Sequence, residues 1–169
     1  MKPTAMPASR PRAAVLTISD SAATGRRKDL SGPAVAKALK GRFDVVAGGV
    51  IRDERRKIEA ALRTLAAQAD LVVTTGGTGV APRDLTPEAT RAVCSRLLPG
   101  IPEYMRAEGR RKTPYAALSR AECGVCGKTL ILNLPGNPAG AVDSLQSVLE
   151  LLTHVVDLLH GRTEHARQP

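Results

Sequence analysis

Three short apolar runs constrain this chain most, because each ends abruptly in small or polar residues and each is followed by helical periodicity. Ala13 to Ile18 stops at Ser19-Asp20-Ser21, Leu71 to Thr75 runs into a glycine-rich turn, and Cys123 to Asn133 leads to Pro135-Gly136-Asn137-Pro138. Apolar runs of this length without strict alternation read as strands buried on both faces. Between and after them, Val35, Ala38 and Leu39 recur at helical spacing. Ile58, Ala61, Leu62 and Leu65 form one stripe opposite Arg55, Arg56, Glu59 and Arg63, and apolar residues repeat from Val142 to Leu159. Buried strands alternating with amphipathic helices require βαβ crossovers, so the expected class is α/β: a three-layer α/β/α sandwich around a mostly parallel sheet. At 169 residues and 43% hydrophobic, the chain suffices for a single domain with its own core. That core is aliphatic by necessity, since there is no Trp, one Phe and two Tyr.

The punctuation sets the boundaries. Residues 1–11, with Pro3, Pro7 and Pro11 among small and basic residues, read as a disordered leader; 12–162 as the folded domain; and 163–169 as a flexible tail. Ser31 is the expected N-cap of the first long helix, which ends by Gly41, and Phe43 to Ile51 returns to strand. Asp53 is the expected cap of the next helix. Thr86-Pro87-Glu88 supplies a hydroxyl cap, a proline and a first-turn acid for a helix running to about Leu97. A further helical stretch spans about Pro102 to Gly109, two short strands break at Gly127-Lys128, and a long helix runs from Pro138 to Gly161.

A formal charge of +9 admits a polyanionic partner, but the basic residues fall in separate runs, Arg26-Arg27-Lys28 and Arg110-Arg111-Lys112, which read as solvated turns. With so few aromatic rings to stack bases, nucleic acid is not an expected partner. No apolar run approaches the roughly 20 residues that span a bilayer, and no secretory signal precedes the domain, so neither membrane association nor export is expected. Three cysteines without disulfide-dense spacing fit a reducing compartment, hence a cytoplasmic location. Cys123 and Cys126 lack a second ligand pair and point to opposite faces of a strand, which argues against a zinc site. His154 and His160 lack the spacing of a catalytic pair.

Parallel sheets bind ligands beyond the carboxyl ends of their strands, where all three polar loops fall. Thr74-Thr75-Gly76-Gly77-Thr78-Gly79 lets backbone N–H groups approach an anion, although a tight strand-to-helix connection would look the same. It lacks both the Walker lysine and the dinucleotide glycine spacing. Asp84 follows, between that turn and a helix start, and is the best single magnesium candidate, with Asp20 and Asp53 behind it; a turn or capping acid is the competing reading. Asn137-Pro138 suits phosphate approach and equally suits a simple helix cap.

Five ordered segments resemble the Mog-type molybdopterin adenylyltransferases, a family related to the amino-terminal domain of gephyrin. They are Thr17-Ile18-Ser19-Asp20-Ser21, Asp29-Leu30-Ser31-Gly32-Pro33, Thr74 to Gly79, Pro82-Arg83-Asp84-Leu85-Thr86-Pro87-Glu88-Ala89, and Leu132-Asn133-Leu134-Pro135-Gly136-Asn137-Pro138. Pro99 to Glu103 and Leu118-Ser119-Arg120 also look typical of it. The resemblance, from about Arg12 to Arg162, implies transfer of AMP from Mg-ATP to the terminal phosphate of molybdopterin with release of pyrophosphate. It implies a homotrimer, with ATP and molybdopterin as substrates, Mg²⁺ as cofactor and contact with the molybdenum-insertion enzyme. Carried over residue by residue, it gives catalytic roles to Asp84 and Asp53 and metal binding to Asp84. Nucleotide binding falls to Gly76, Gly77, Thr78, Gly79, Pro135, Gly136 and Asn137, and molybdopterin binding to Ser19, Asp20, Ser31 and Asp53. Arg83 is a further phosphate candidate. Members of the family carry Ser and Lys where this chain has Asn137 and Ala139, which removes one phosphate-directed cation; Lys128 is the candidate to replace it. A non-catalytic molybdopterin carrier on the same scaffold is the alternative.

Overall fold

A computed structural model describes residues 9–162. Most of the leader and all of the 163–169 tail lie outside the described residues. The strands are β1 (Arg12–Ile18), β2 (Asp44–Ile51), β3 (Leu71–Thr75), β4 (Arg96–Leu97), β5 (Cys123–Cys126) and β6 (Thr129–Leu134). The α-helices are α1 (Asp20–Ala23), α2 (Ser31–Leu39), α3 (Arg55–Ala66), α4 (Thr86–Val93), α5 (Gly100–Arg110) and α6 (Pro138–Leu159), with a 3₁₀ turn at Pro114–Leu118.

These form the expected three layers. The sheet order is β2-β1-β3-β6-β5-β4, parallel from β2 to β6 and antiparallel beyond. Alternate residues of the central strands enter opposite cores, as a period of two dictates. Ala13, Val15, Leu71, Val73, Leu130 and Leu132 pack with residues of α2, α5 and α6, whereas Ala14, Leu16, Val72 and Ile131 pack with α3 and α4. The single Phe, Phe43, is buried in the first cluster. One polar group pins the middle of the sheet. Buried Asn133 donates to Thr74 Oγ1 (3.0 Å) and Thr90 Oγ1 (2.9 Å) and accepts from Glu122 N (3.1 Å), joining β6 to β3, α4 and the start of β5. Its capacity is spent inside the fold, so a buried amide costs little here.

Several local expectations require correction. The helix expected to reach Leu97 ends at Val93, because Arg96 and Leu97 instead pair with Val125 and Gly124 at the sheet edge. Ser31 does not cap α2 but is its first residue; the N-cap is Leu30 without a side-chain bond, and Asp29, one residue earlier, accepts from Gly32 N at 3.0 Å. Asp53 does not cap α3, whose N-cap is Glu54 without a side-chain bond. Thr86 is the first residue of α4 and turns its hydroxyl to Gly76 O at 2.9 Å. Partners farther along the chain decide the end of α4 and the Thr86 hydroxyl, whereas at α2 the change is local, two residues before Ser31. Asn137 does cap α6, accepting from Gly140 N at 3.0 Å. Lys128 lies in the β5–β6 turn, at the opposite end of the sheet from the polar loops, and cannot replace a cation there.

Cys123 and Cys126 face opposite sides, as the strand period requires. Burial first, then the neighbouring thiol charges and Glu122, pushes the Cys94 and Cys123 thiols up to about 12, so neither is a reactive thiolate near neutrality. Among the described residues, no helix is long and apolar enough to cross a membrane.

Candidate active site

The carboxyl ends of β1, β3 and β6 lie side by side, which brings the three polar loops together. Gly76 N donates to Leu134 O (3.1 Å) and Thr75 Oγ1 to Pro135 O (2.8 Å), so the loop after β3 is tied to the loop after β6. Gly76 and Gly77 have φ of +101° and +66°, conformations that side chains oppose. The space is equally restrictive: a Cβ on Gly76 would meet the Ile18 carbonyl oxygen at 2.2 Å, and one on Gly77 would meet Thr86 Oγ1 at 2.3 Å and Asp53 Oδ1 at 2.7 Å. Backbone thus packs on backbone where the loops converge.

Three carboxylates surround this turn and have different tasks. Asp20 is a bracket: Oδ2 accepts from Arg83 Nε at 2.6 Å and Oδ1 from Asp53 N at 3.3 Å, joining the loops after β1, β2 and β3. The Arg83 hydrogen bond holds the Asp20 carboxyl below its usual range. Asp84 accepts from Ala81 N at 2.9 Å through Oδ2, which rigidifies its own turn. Asp53 is the strained one, its Oδ1 buried without a hydrogen-bond partner. Burial, then the charges of Asp20 and Asp84, raises its pKa.

That shift has a measurable sign. A carboxyl whose pKa is higher in the folded state makes the fold bind more protons than the unfolded chain, so stability declines as pH rises from the unfolded value through the folded one. Asp53→Asn cannot ionise. In metal-free buffer the variant is expected to match the parent Tm near pH 4 and exceed it at pH 8; an equal difference at both values would remove electrostatic strain as the cause.

Two cavities flank the turn. The smaller, about 400 Å³, is bordered by Thr17, Ser19, Ser31, Asp53 and Gly76, with Arg27 and Lys28 at its side. The larger, about 980 Å³, is bordered by Thr78, Gly79, Asp84 and Pro135, with α5 and α6 forming its far wall. Gly77, Gly136 and Asn137 border both. The residues expected at the nucleotide therefore fall on the larger cavity, except Gly76. Those expected at molybdopterin fall on the smaller, except Asp20, which borders neither and has both oxygens engaged.

Some residues at the site were read differently from sequence. Arg27 and Lys28 looked like a solvated run, and only the return of the β1–α2 loop across the strand ends brings them to the cavity. Lys112, on the larger cavity, reaches Asp143 Oδ2 at 2.7 Å, one helical turn beyond Ala139 on α6. Its signal was the Arg110-Arg111-Lys112 run, but nothing local placed that run opposite α6. Arg83, expected at a phosphate, spends its Nε on Asp20.

Comparison with known proteins gives concordant results. Residues 14–154 match a family profile described as "Probable molybdopterin binding domain". Over 157 residues, 87% of this chain and 86% of the relative, the sequence is 43% identical to the molybdopterin adenylyltransferase of Helicobacter pylori. It is 42% identical over 149 residues to the molybdenum cofactor synthesis protein cinnamon of Drosophila melanogaster, of which it spans 25%. The crystal structure of the molybdopterin biosynthesis enzyme MoaB from Thermus thermophilus superposes with a TM-score of 0.85 at 49% identity, covering 89% of this chain and 97% of that one.

Proposed function

The chain belongs to the molybdopterin-binding-domain family of molybdenum cofactor biosynthesis, and from that membership we propose how its paired cavities work as a molybdopterin adenylyltransferase. The protein is an enzyme of the nucleotidyltransferase class. One substrate, molybdopterin, occupies the cavity of Ser19, Ser31 and Asp53, with Arg27 and Lys28 toward its anionic groups. ATP occupies the larger cavity, its phosphates on Gly77, Thr78 and Gly79 and against Gly136 and Asn137. The observation that carries this reading is the shared wall: Gly77, Gly136 and Asn137 border both cavities, so two phosphate-bearing ligands meet there. A carrier needs one cavity and has no use for the second, and that alternative is not favoured.

The reaction joins the terminal phosphate oxygen of molybdopterin to the α-phosphorus of ATP as the bond from that phosphorus to the bridging oxygen breaks, and pyrophosphate departs. A phosphate monoester is largely dianionic at neutral pH, its second pKa being about 6, so the nucleophile needs no base. The protein's work is alignment and charge compensation. The glycine turn and the amino end of α6 offer backbone N–H groups and a positive helix end to the phosphates. Asp53 lies against Gly77 on the smaller cavity and Asp84 against Gly79 on the larger, one toward each substrate.

A magnesium ion fits this donor set. Asp84 leaves Oδ1 outside its turn, Asp53 has an orphaned oxygen nearby, and magnesium is commonly held by one or two carboxylates with substrate phosphates and water. Asp84, with Asp53 behind it, would hold the ion, which when bound neutralises charge on the phosphoryl oxygens.

We also place the enzyme in the cytoplasm, supported by three unpaired thiols. It assembles as a homotrimer, as the family resemblance implies, and the exposed Val45, Val46 and Val50 along the unpaired edge of β2 offer an apolar surface for association between copies. Its product passes to the enzyme that inserts molybdenum. The test is pyrophosphate release from Mg-ATP with and without molybdopterin, on a preparation whose mass is measured by light scattering. Release only with molybdopterin, from a particle of three chain masses, is expected. Tight molybdopterin binding without release would restore the carrier reading, and a monomer would remove the trimer.

A further inference from the structure

Between Gly77 and α4 the chain runs for eight residues without secondary structure, yet this stretch carries both the phosphate turn and Asp84. Besides Asp20, which holds Arg83, a second side chain from elsewhere in the fold ties it down. Arg120 donates from Nε to Gly79 O at 2.7 Å, from Nη2 to Asp84 O at 2.6 Å and from Nη1 to the Glu88 carboxylate, while its backbone N donates to Thr78 O at 2.9 Å. It borders neither cavity. Three acceptors, two carbonyls of this one loop and a carboxylate on α4, match the planar fork of a guanidinium, and an ammonium cannot reproduce that fit. On Glu88, burial alone would raise the carboxyl pKa; the Arg120 hydrogen bond and charge outweigh it and hold the group ionised.

We infer that Arg120 is a positioning residue for nucleotide transfer: it fixes the separation of Gly79 and Asp84, and so aims the phosphate turn and the Asp84 carboxylate at the same ligand. This rests on the adenylyl-transfer reading but not on turnover alone, because the geometry it controls belongs to the larger cavity. The smaller cavity shares Gly77 with the larger, but none of the groups that Arg120 holds, Thr78, Gly79, Asp84 and Glu88, borders it.

The test uses Arg120→Ala and Arg120→Lys, with Arg91→Ala as control, since Arg91 makes a comparable pair with Glu122 (2.8 Å) outside both cavities. A displacement on the ångström scale at a reacting centre costs roughly 100-fold in rate, and a loss of about that size in kcat with raised KM for ATP is expected in both Arg120 variants. Molybdopterin affinity should stay within about twofold, Arg91→Ala should keep its activity, and added guanidinium at non-denaturing concentration should restore part of the Arg120→Ala activity. Activity near the parent's in folded Arg120→Ala would overturn the assignment. So would a joint loss of Tm, molybdopterin binding and activity that guanidinium does not relieve. If the parent binds ATP but releases no pyrophosphate, the adenylyl-transfer reading fails separately. ATP affinity then decides the strut: unchanged in Arg120→Ala would reject it, and weakened about tenfold or more would uphold it.

Discussion

Asp84→Ala and Asp84→Asn are both expected to lower kcat for molybdopterin-dependent pyrophosphate release by about 1,000-fold, equivalent to about 4 kcal/mol of transition-state stabilisation. The pair separates two roles. Alanine removes the charge and also the acceptor for Ala81 N, whereas asparagine keeps an oxygen that can accept that bond and loses only the anion. Equal losses in the two variants assign the effect to charge and metal binding. Near-parent activity in Asp84→Asn would make Asp84 a turn residue, the reading that competed with it from the start. Molybdopterin affinity measured in parallel should be unaffected, because Asp84 does not border the smaller cavity.

Gly76→Ala is expected to be the most damaging conservative change for stability. The new Cβ would sit 2.2 Å from the Ile18 carbonyl oxygen at a φ of +101°, and neither the strand end nor the turn can rotate out of its way. Backbone strain of about 1–3 kcal/mol and overpacking of about 1–3 kcal/mol together consume a large share of the 5–15 kcal/mol that typically separates folded from unfolded domains, so about 3–5 kcal/mol is expected. Gly25→Ala is the contrast. Its φ is +73° but nothing lies within 4 Å of the new Cβ, so only a left-handed penalty of about 1–2 kcal/mol applies. Urea denaturation of the two variants measures the difference. Equal midpoints would mean that the loop after β3 yields, and would weaken the case for a preformed phosphate turn.

Much of this architecture was legible from consecutive residues. β1, β3 and β6 announce themselves because strands buried on both faces are apolar for most of their length without alternation, and α3 and α6 because a buried helical stripe repeats every three to four residues. The hairpin at Gly127-Lys128 and the Asn137 cap follow from chemistry within a few residues of each turn. The placement of polar loops after buried strands pointed to the end of the sheet where the loops converge on two cavities, since parallel sheets expose their strand ends on one side.

What consecutive residues could not decide was which partner each polar side chain takes. Asp53 and Thr86 are both credible helix caps by local rules, yet Gly76 O draws the second and the first faces the turn at Gly77. The same holds for Arg120, 36 residues from the Asp84 carbonyl it holds, and for Arg27 and Lys28, which join a cavity only when their loop folds over the strand ends. Periodicity is a property of neighbouring residues and is written in sequence, so it determined the layers, the cores and the end of the sheet where the two cavities lie. A hydrogen bond between residues distant in sequence depends on the whole chain path, and only tertiary structure decided how those groups divide between two cavities and which of them hold the others in place.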